Sequence, residues 1–171
     1  MAKQGNWRFC NKCHVLWWNQ QGAGACPKDR DANGNLLPDP GMHFDFSGHN
    51  DANSWNFELA TNDESLPGQR DWQFCNKCKG LWWPNAGLGH CPAGGGHDST
   101  NSWLFKLASP GSGVSGQDNW RYCNLCHALW WAGSGRGFCI VGREQGHEAL
   151  NPPSLDFVLP HIPDPPLPPI H

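Results

Sequence analysis

Branched aliphatic residues are scarce in this chain: Ile and Val together number seven among 171 residues, and there is a single Tyr. A conventional aliphatic core is thereby excluded. Charge is sparse too, at 16% of residues, with 12 Lys and Arg, no basic run and a formal balance of −3. Nucleic-acid binders cluster cations to displace phosphate counterions, so this balance argues against nucleic acid as a partner. No run of about 18 apolar residues exists, which argues against a membrane-spanning helix. The start, Met1 to Asn6, lacks the apolar stretch of a signal peptide, and the expectation is a cytoplasmic or non-classically exported protein.

What is present is 9 Cys, 11 Trp, 21 Gly and 15 Pro, and repetition organises them. Three blocks align without a gap, Trp7 to Cys26, Trp72 to Cys91 and Trp120 to Cys139, with ten positions identical in all three. In the first block these are Trp7, Cys10, Asn11, Cys13, Leu16, Trp17, Trp18, Gly22, Gly24 and Cys26. Each block is followed by a Gly-His pair ending in His49, His97 or His147. Next comes an alternating segment, Ser54-Trp55-Asn56-Phe57-Glu58-Leu59 in the first copy, Ser102 to Leu107 in the second and a looser Ser154 to Leu159 in the third. Between Cys26 and His49 lie 22 residues, against 5 between Cys91 and His97, so repeat 1 carries an insertion over 27–48. The repeats span 5–60, 70–108 and 118–159, followed by a Pro-rich tail at 160–171. Linkers rich in Gly, Ser and Pro are expected at Thr61 to Gln69 and Ser109 to Gln117.

β-favouring aromatics flank each Cys-x-x-Cys turn, which predicts a hairpin, and the Ser-Trp-x-Phe-x-Leu segment alternates with the period of a strand. The expected fold class is small all-β and metal-stabilised: three tandem zinc-binding hairpin or three-stranded units with little or no helix. Units this small need a supplement to the hydrophobic core. The spacing Cys-x2-Cys-x12-Cys followed by His provides one. The candidate ligand sets are Cys10, Cys13, Cys26 and His49; Cys75, Cys78, Cys91 and His97; and Cys123, Cys126, Cys139 and His147. Thiolate and imidazole are zinc ligands, and a two-residue spacing lets both sulfurs of a turn face one ion, giving three Zn2+ per chain. A disulfide framework is the competing account, but it would strand one thiol in every repeat. His43 is a candidate substitute for His49. His14 and His127 follow the Cys-x-x-Cys turn, but Lys79 stands there in repeat 2, so that position is not a required ligand.

The run Trp72-Gln73-Phe74-Cys75-Asn76-Lys77-Cys78-Lys79-Gly80-Leu81-Trp82-Trp83, with Gly89-His90-Cys91-Pro92 and Gly96-His97 after it, resembles the tandem Trp/Cys zinc-binding repeats of bacterial and fungal proteins. Repeat 3 departs from the pattern with Ile140 after its third cysteine. The resemblance implies metal ligation and no particular activity. The opening hairpin is similar in part to Ran-binding-protein-type zinc fingers, but those use a second Cys-x-x-Cys absent here, so their ligands do not carry over.

The tryptophans suggest a use beyond packing. Trp7, Trp55 and their equivalents are expected in the core. Adjacent residues on a strand point to opposite faces, so one member of each pair Trp17/Trp18, Trp82/Trp83 and Trp130/Trp131 is expected at the surface or against another repeat. These six are the candidate ligand-binding residues. Repeated aromatic platforms beside Asn19, Gln20, Asn85 and Ser134 suit a glycan, with packing between repeats as the alternative. The insertion holds Asp29, Asp31, Asn33, Asn35 and Asp39, a spacing like that of a Ca2+ loop, although Pro40 stands where a bidentate Glu is expected. The plain alternative is an Asn-Gly turn. The tail ends Pro163-Asp164-Pro165-Pro166-Leu167-Pro168-Pro169-Ile170-His171, a polyproline II candidate for docking on aromatic surface and for self-association. No nucleophile, open metal site or phosphate loop is visible, so a non-enzymatic carbohydrate-binding module is expected, or else a structural protein whose Trp faces and tail mediate protein–protein contacts.

Overall fold

In the computed structural model, residues 3–37, 48–149 and 156–161 are described. They form nine strands, three from each repeat: β1 Lys3–Phe9, β2 Leu16–Trp18 and β3 Phe57–Thr61; β4 Gly68–Phe74, β5 Leu81–Trp82 and β6 Leu104–Ala108; β7 Gln117–Tyr122, β8 Leu129–Trp131 and β9 Phe157–Leu159. Among the described residues the only helical segments are two 3-10 turns, Pro27–Asp29 and Pro84–Ala86. The chain is all-β, as its sequence pattern predicts.

Within each repeat the first strand runs antiparallel to the other two. The Cys-x-x-Cys hairpin pairs Trp7 with Trp18 and Phe9 with Leu16 in repeat 1, and Trp120 with Trp131 in repeat 3. On its other side the first strand pairs with the third through an interrupted register, between Gln4 and Trp7, Gln69 and Trp72, and Gln117 and Trp120. The interruption is a bulge at Asn6, Asp71 and Asn119, whose φ of 71°, 74° and 70° is a conformation that Asn and Asp tolerate best among residues with a side chain. The bulge has a packing consequence. It brings the Gln4, Gln69 and Gln117 side-chain carbonyls to accept the buried indole N–H of Trp7, Trp72 and Trp120 at 3.0, 2.8 and 3.1 Å. Each repeat therefore begins three residues before its Trp. Gly68, Gln69 and Gln117, expected in linkers, belong to strands β4 and β7.

The repeats then pair with one another in a cycle. Strand β3 joins β6 (Ala60 opposite Lys106), β6 joins β9 (Ala108 opposite Val158), and the Glu58 N–H donates to the Pro160 carbonyl at 2.9 Å beside β9. At the other end the amides of Trp18, Trp83 and Trp131 donate to the carbonyls of Lys79, His127 and His14 at 2.9, 3.1 and 3.0 Å, again linking repeat 1 to 2, 2 to 3 and 3 to 1. The sheet is nearly closed, and one core fills it. Trp7, Trp72 and Trp120 are fully buried with Phe57, Phe105, Phe157 and six leucines in a single cluster drawn from all three repeats. Each Trp meets the Phe of the next repeat edge to face, Trp7–Phe105 at 5.4 Å, Trp72–Phe157 at 5.5 Å and Trp120–Phe57 at 5.3 Å. Of the two alternating-segment tryptophans expected in the core, Trp55 packs against it and the expectation for Trp103 is corrected. Trp55 is half-buried under the ring of His161 at 4.4 Å, and Trp103 is 51% exposed.

Candidate metal centres

Each Cys-x-x-Cys turn forms a knuckle at one rim of the barrel. In repeat 1 the Cys10 amide donates to the Val15 carbonyl at 3.0 Å, closing the hairpin, while the His14 amide donates to the Cys10 carbonyl at 2.7 Å; repeats 2 and 3 copy both bonds. The residue after the second cysteine, His14, Lys79 or His127, adopts φ near 70°. Its conserved role across the three copies is its backbone carbonyl, which receives the neighbouring Trp amide. This explains why His and Lys interchange at that position.

The third cysteine and the histidine close on each knuckle, as the spacing predicts. In all three sets the four ligand atoms lie within 4.8 Å of one another, and all twelve residues are buried. A tetrahedral ion with Zn–S of about 2.3 Å and Zn–N of about 2.0–2.1 Å places two sulfurs roughly 3.8 Å apart and a sulfur roughly 3.6 Å from the imidazole nitrogen. The observed Cys75–Cys91 and Cys123–Cys139 sulfur separations are 3.8 and 3.9 Å, and Cys13, Cys78 and Cys126 lie 3.5, 3.7 and 3.6 Å from Nδ1 of His49, His97 and His147. The clusters have the size of a metal site. All nine cysteines are free thiols and all nine belong to these clusters. His49 completes the first set; His43 lies outside the described residues.

Backbone amides also face the sulfurs. Cys75 Sγ accepts from the Cys78 and Asp98 amides at 3.5 Å, and Cys91 Sγ from Ala93 at 3.4 Å, which favours thiolate. Without an ion the groups compete for protons. The sulfurs of Cys78 and Cys91 hold the Cys75 thiol well below its usual value, Cys75 and Cys91 push Cys78 well above it, and Cys75 pushes Cys91 up to about 12. A cation at the centre removes the competition by favouring every deprotonated form.

The histidine ring nitrogens divide between two repeats. With Nδ1 turned to its own sulfurs, Nε2–H donates to the carbonyl of the second cysteine of the next repeat: His49 to Cys78 at 3.0 Å, His97 to Cys126 at 2.9 Å, His147 to Cys13 at 3.0 Å. The bond fixes the neutral tautomer whose free lone pair is Nδ1, the form a metal needs. The same three carbonyls also accept the amides of Ala25, His90 and Phe138 at 3.3 Å. That approach explains an identity in the blocks. A Cβ on Gly24, Gly89 or Gly137 would collide with the Cys78, Cys126 or Cys13 carbonyl, and all three glycines hold φ near 65°. The ring of carbonyls was not foreseen from sequence, although the repeated glycines were its visible trace.

The tryptophan pairs divide as strand geometry requires. Trp17, Trp82 and Trp130 are buried and stack on His49, His97 and His147 with centroids 5.2, 5.0 and 5.4 Å apart. These three offer no surface to a ligand, which corrects their place among the candidate ligand-binding residues. Trp18, Trp83 and Trp131 are partly exposed and are anchored by their indole N–H to the carbonyls of Gly5, Arg70 and Asp118 at 3.0, 3.1 and 2.9 Å.

Among the described residues of the insertion, the acidic oxygens face separate partners. Asp29 is buried, paired with Lys12 at 2.7 Å and accepting from the Gly48 amide at 3.1 Å. Asp31 instead accepts from the amides of Asn33 and Asn35 at 2.9 and 3.1 Å, an Asx turn. Asp39 lies outside the described residues. Among the described residues the three Cys-His sets are the only groups of three or more His, Cys, Asp or Glu placed to hold a metal ion. Asp29 and Asp31 thus engage Lys12 and backbone amides, in keeping with the turn alternative, and Lys12 also donates to the Gly48 carbonyl, at 2.8 Å, beside His49. Of the Pro-rich tail, only Pro160 and His161 are among the described residues. No helix of the described residues is long and apolar enough to cross a membrane. No family model, no curated protein and no solved structure matches the chain.

Proposed function

We propose that each Cys3His cluster holds one zinc ion, three per chain, and that the protein is a non-enzymatic tandem zinc-repeat module that binds carbohydrate. The observation that carries the non-catalytic reading is the complete, buried protein ligand set of every cluster. Four protein ligands leave no position for water or substrate, so the ion stabilises. The carbohydrate reading rests on Trp18, Trp83 and Trp131, which are partly exposed, with Asn19 and Gln20 following Trp18 in the chain and Asn85 close after Trp83. A pyranose presents CH faces to indole and hydroxyls to amides. Metal analysis is expected to give three zinc per chain, and a glycan array probed with zinc-loaded protein a consistent class of sugar. Zero zinc with Cys-x-x-Cys disulfides would end the first half, and a blank array the second.

One observation favours a second reading, assembly through protein contacts. His161, at the entrance to the Pro-rich tail, lies with its ring on Trp55 at 4.4 Å, so the start of the tail meets an indole. A large assembly whose size is independent of concentration, seen by sedimentation and lost on truncation after Pro160, would support it.

A further inference from the structure

Comparison of the repeat boundaries singles out one of them. Between repeats 1 and 2 lies a groove of about 320 Å³ lined by Trp18, Gln21, Phe74, Thr100, Asn101 and Trp103 among others. No charged side chain lines it. The corresponding boundary of repeats 3 and 1 has Trp131 and Trp55, but there the His161 ring covers Trp55, and Ser134 and Ala52 replace Gln21 and Thr100. The corresponding boundary of repeats 2 and 3 has Ala86 in place of Gln21.

The geometry points to this groove as the site where the protein takes a neutral pyranose oligosaccharide, a proposal that rests on the carbohydrate reading above and gives it a place. The volume is at the lower end of the range of about 300–1,000 Å³ typical of small-ligand sites. The lining itself carries no charged side chain, and the Lys79 ammonium beside it, 5.7 Å over the Phe74 ring, donates to the Asn76 carbonyl at 2.6 Å, so the lining favours a neutral ligand over one held by ion pairing. The side chains choose between the remaining neutral occupants. Amides and hydroxyls both donate and accept, which matches sugar hydroxyls, whereas a Pro-rich peptide lacks N–H groups and offers almost only acceptors. The chain also demonstrates on Trp55 that an indole at this position takes a flat polar ring at 4.4 Å. On Trp103 the equivalent face is open, at 51% exposure.

The test uses the full zinc-loaded chain. An array of neutral gluco-, manno-, galacto-, xylo- and N-acetylglucosamine oligomers identifies the strongest oligosaccharide, whose affinity is then measured calorimetrically for wild type, Trp103→Ala, Gln21→Ala and Leu88→Ala. Leu88 is 63% exposed and outside the groove lining. We expect Trp103→Ala to weaken binding at least tenfold, Gln21→Ala about threefold, and Leu88→Ala to leave it unchanged, with three zinc retained throughout. Sugar binding equal in all four proteins would overturn the groove and leave the carbohydrate reading standing. A blank array would remove both. Binding of a synthetic Pro160 to His171 peptide, abolished by Trp103→Ala in a protein that ignores sugars, would reassign the groove to peptide and overturn the proposal.

Discussion

The metal rim and the aromatic interior close the same cycle of three repeats by different means. In the interior the contact is Trp on Phe, edge to face, and it is non-directional enough that each pair tolerates local adjustment. At the rim the contact is directional: an imidazole and an amide from one repeat share one carbonyl of the next. That carbonyl belongs to a cysteine of the next cluster, so the histidine of each candidate metal centre is tied to a ligand residue of its neighbour. The interior holds the repeats together, and the rim sets them in register.

Metal removal is the harshest way to break this division. Structural zinc contributes about 10–16 kcal/mol of apparent binding energy per site, comparable with the whole net stability of a domain. Chelation at neutral pH is expected to abolish the near-ultraviolet circular dichroism of the tryptophans. Because Cys78 and Cys91 are pushed up when no ion is present, metal must expel protons on binding, and zinc affinity is expected to fall as the pH is lowered. The rim further predicts linked sites. His97→Ala removes one ligand and also the bond to the Cys126 carbonyl, so zinc content should fall below two per chain by native mass spectrometry. Two ions retained at wild-type affinity would make the sites independent.

The interior should respond differently. Phe105→Ala is expected to cost about 3–5 kcal/mol in denaturant unfolding while leaving three metals bound, since Phe105 touches Trp7 and no ligand of its own cluster. Gly24→Ala sits at the junction of the two regions. It should cost about 2–3 kcal/mol and weaken metal binding together with stability, because its Cβ strikes the Cys78 carbonyl at positive φ. Gln117→Ala is the mildest, at about 1 kcal/mol for the unpaired Trp120 N–H, with no effect on metal.

Much of the local chemistry was legible. The hairpin and its Cys-x-x-Cys knuckle, the third cysteine and the recurring histidine all follow from spacing, because a small ion draws its ligands within a few ångströms and leaves few alternatives. The identical Gly24, Gly89 and Gly137 were visible, but their reason was not, since the carbonyl they approach lies in another repeat. Trp55 and Trp103 share one motif and differ in exposure, because His161 covers only the first. Asp29 and Asp31 have calcium-loop spacing, yet Lys12 and two backbone amides claim their oxygens.

The chain by itself determined the three repeats, the all-β strands and the cysteines of each metal cluster, since these depend on residue type and on neighbours close along the chain. Only the tertiary structure decided that the Trp7 ring meets the Phe105 ring of repeat 2 edge to face, that each histidine answers to the next repeat's cysteine, and that Trp103 stays open. The physical reason is degeneracy. Three copies of one motif offer equivalent partners at every contact, and closing the ring selects among them.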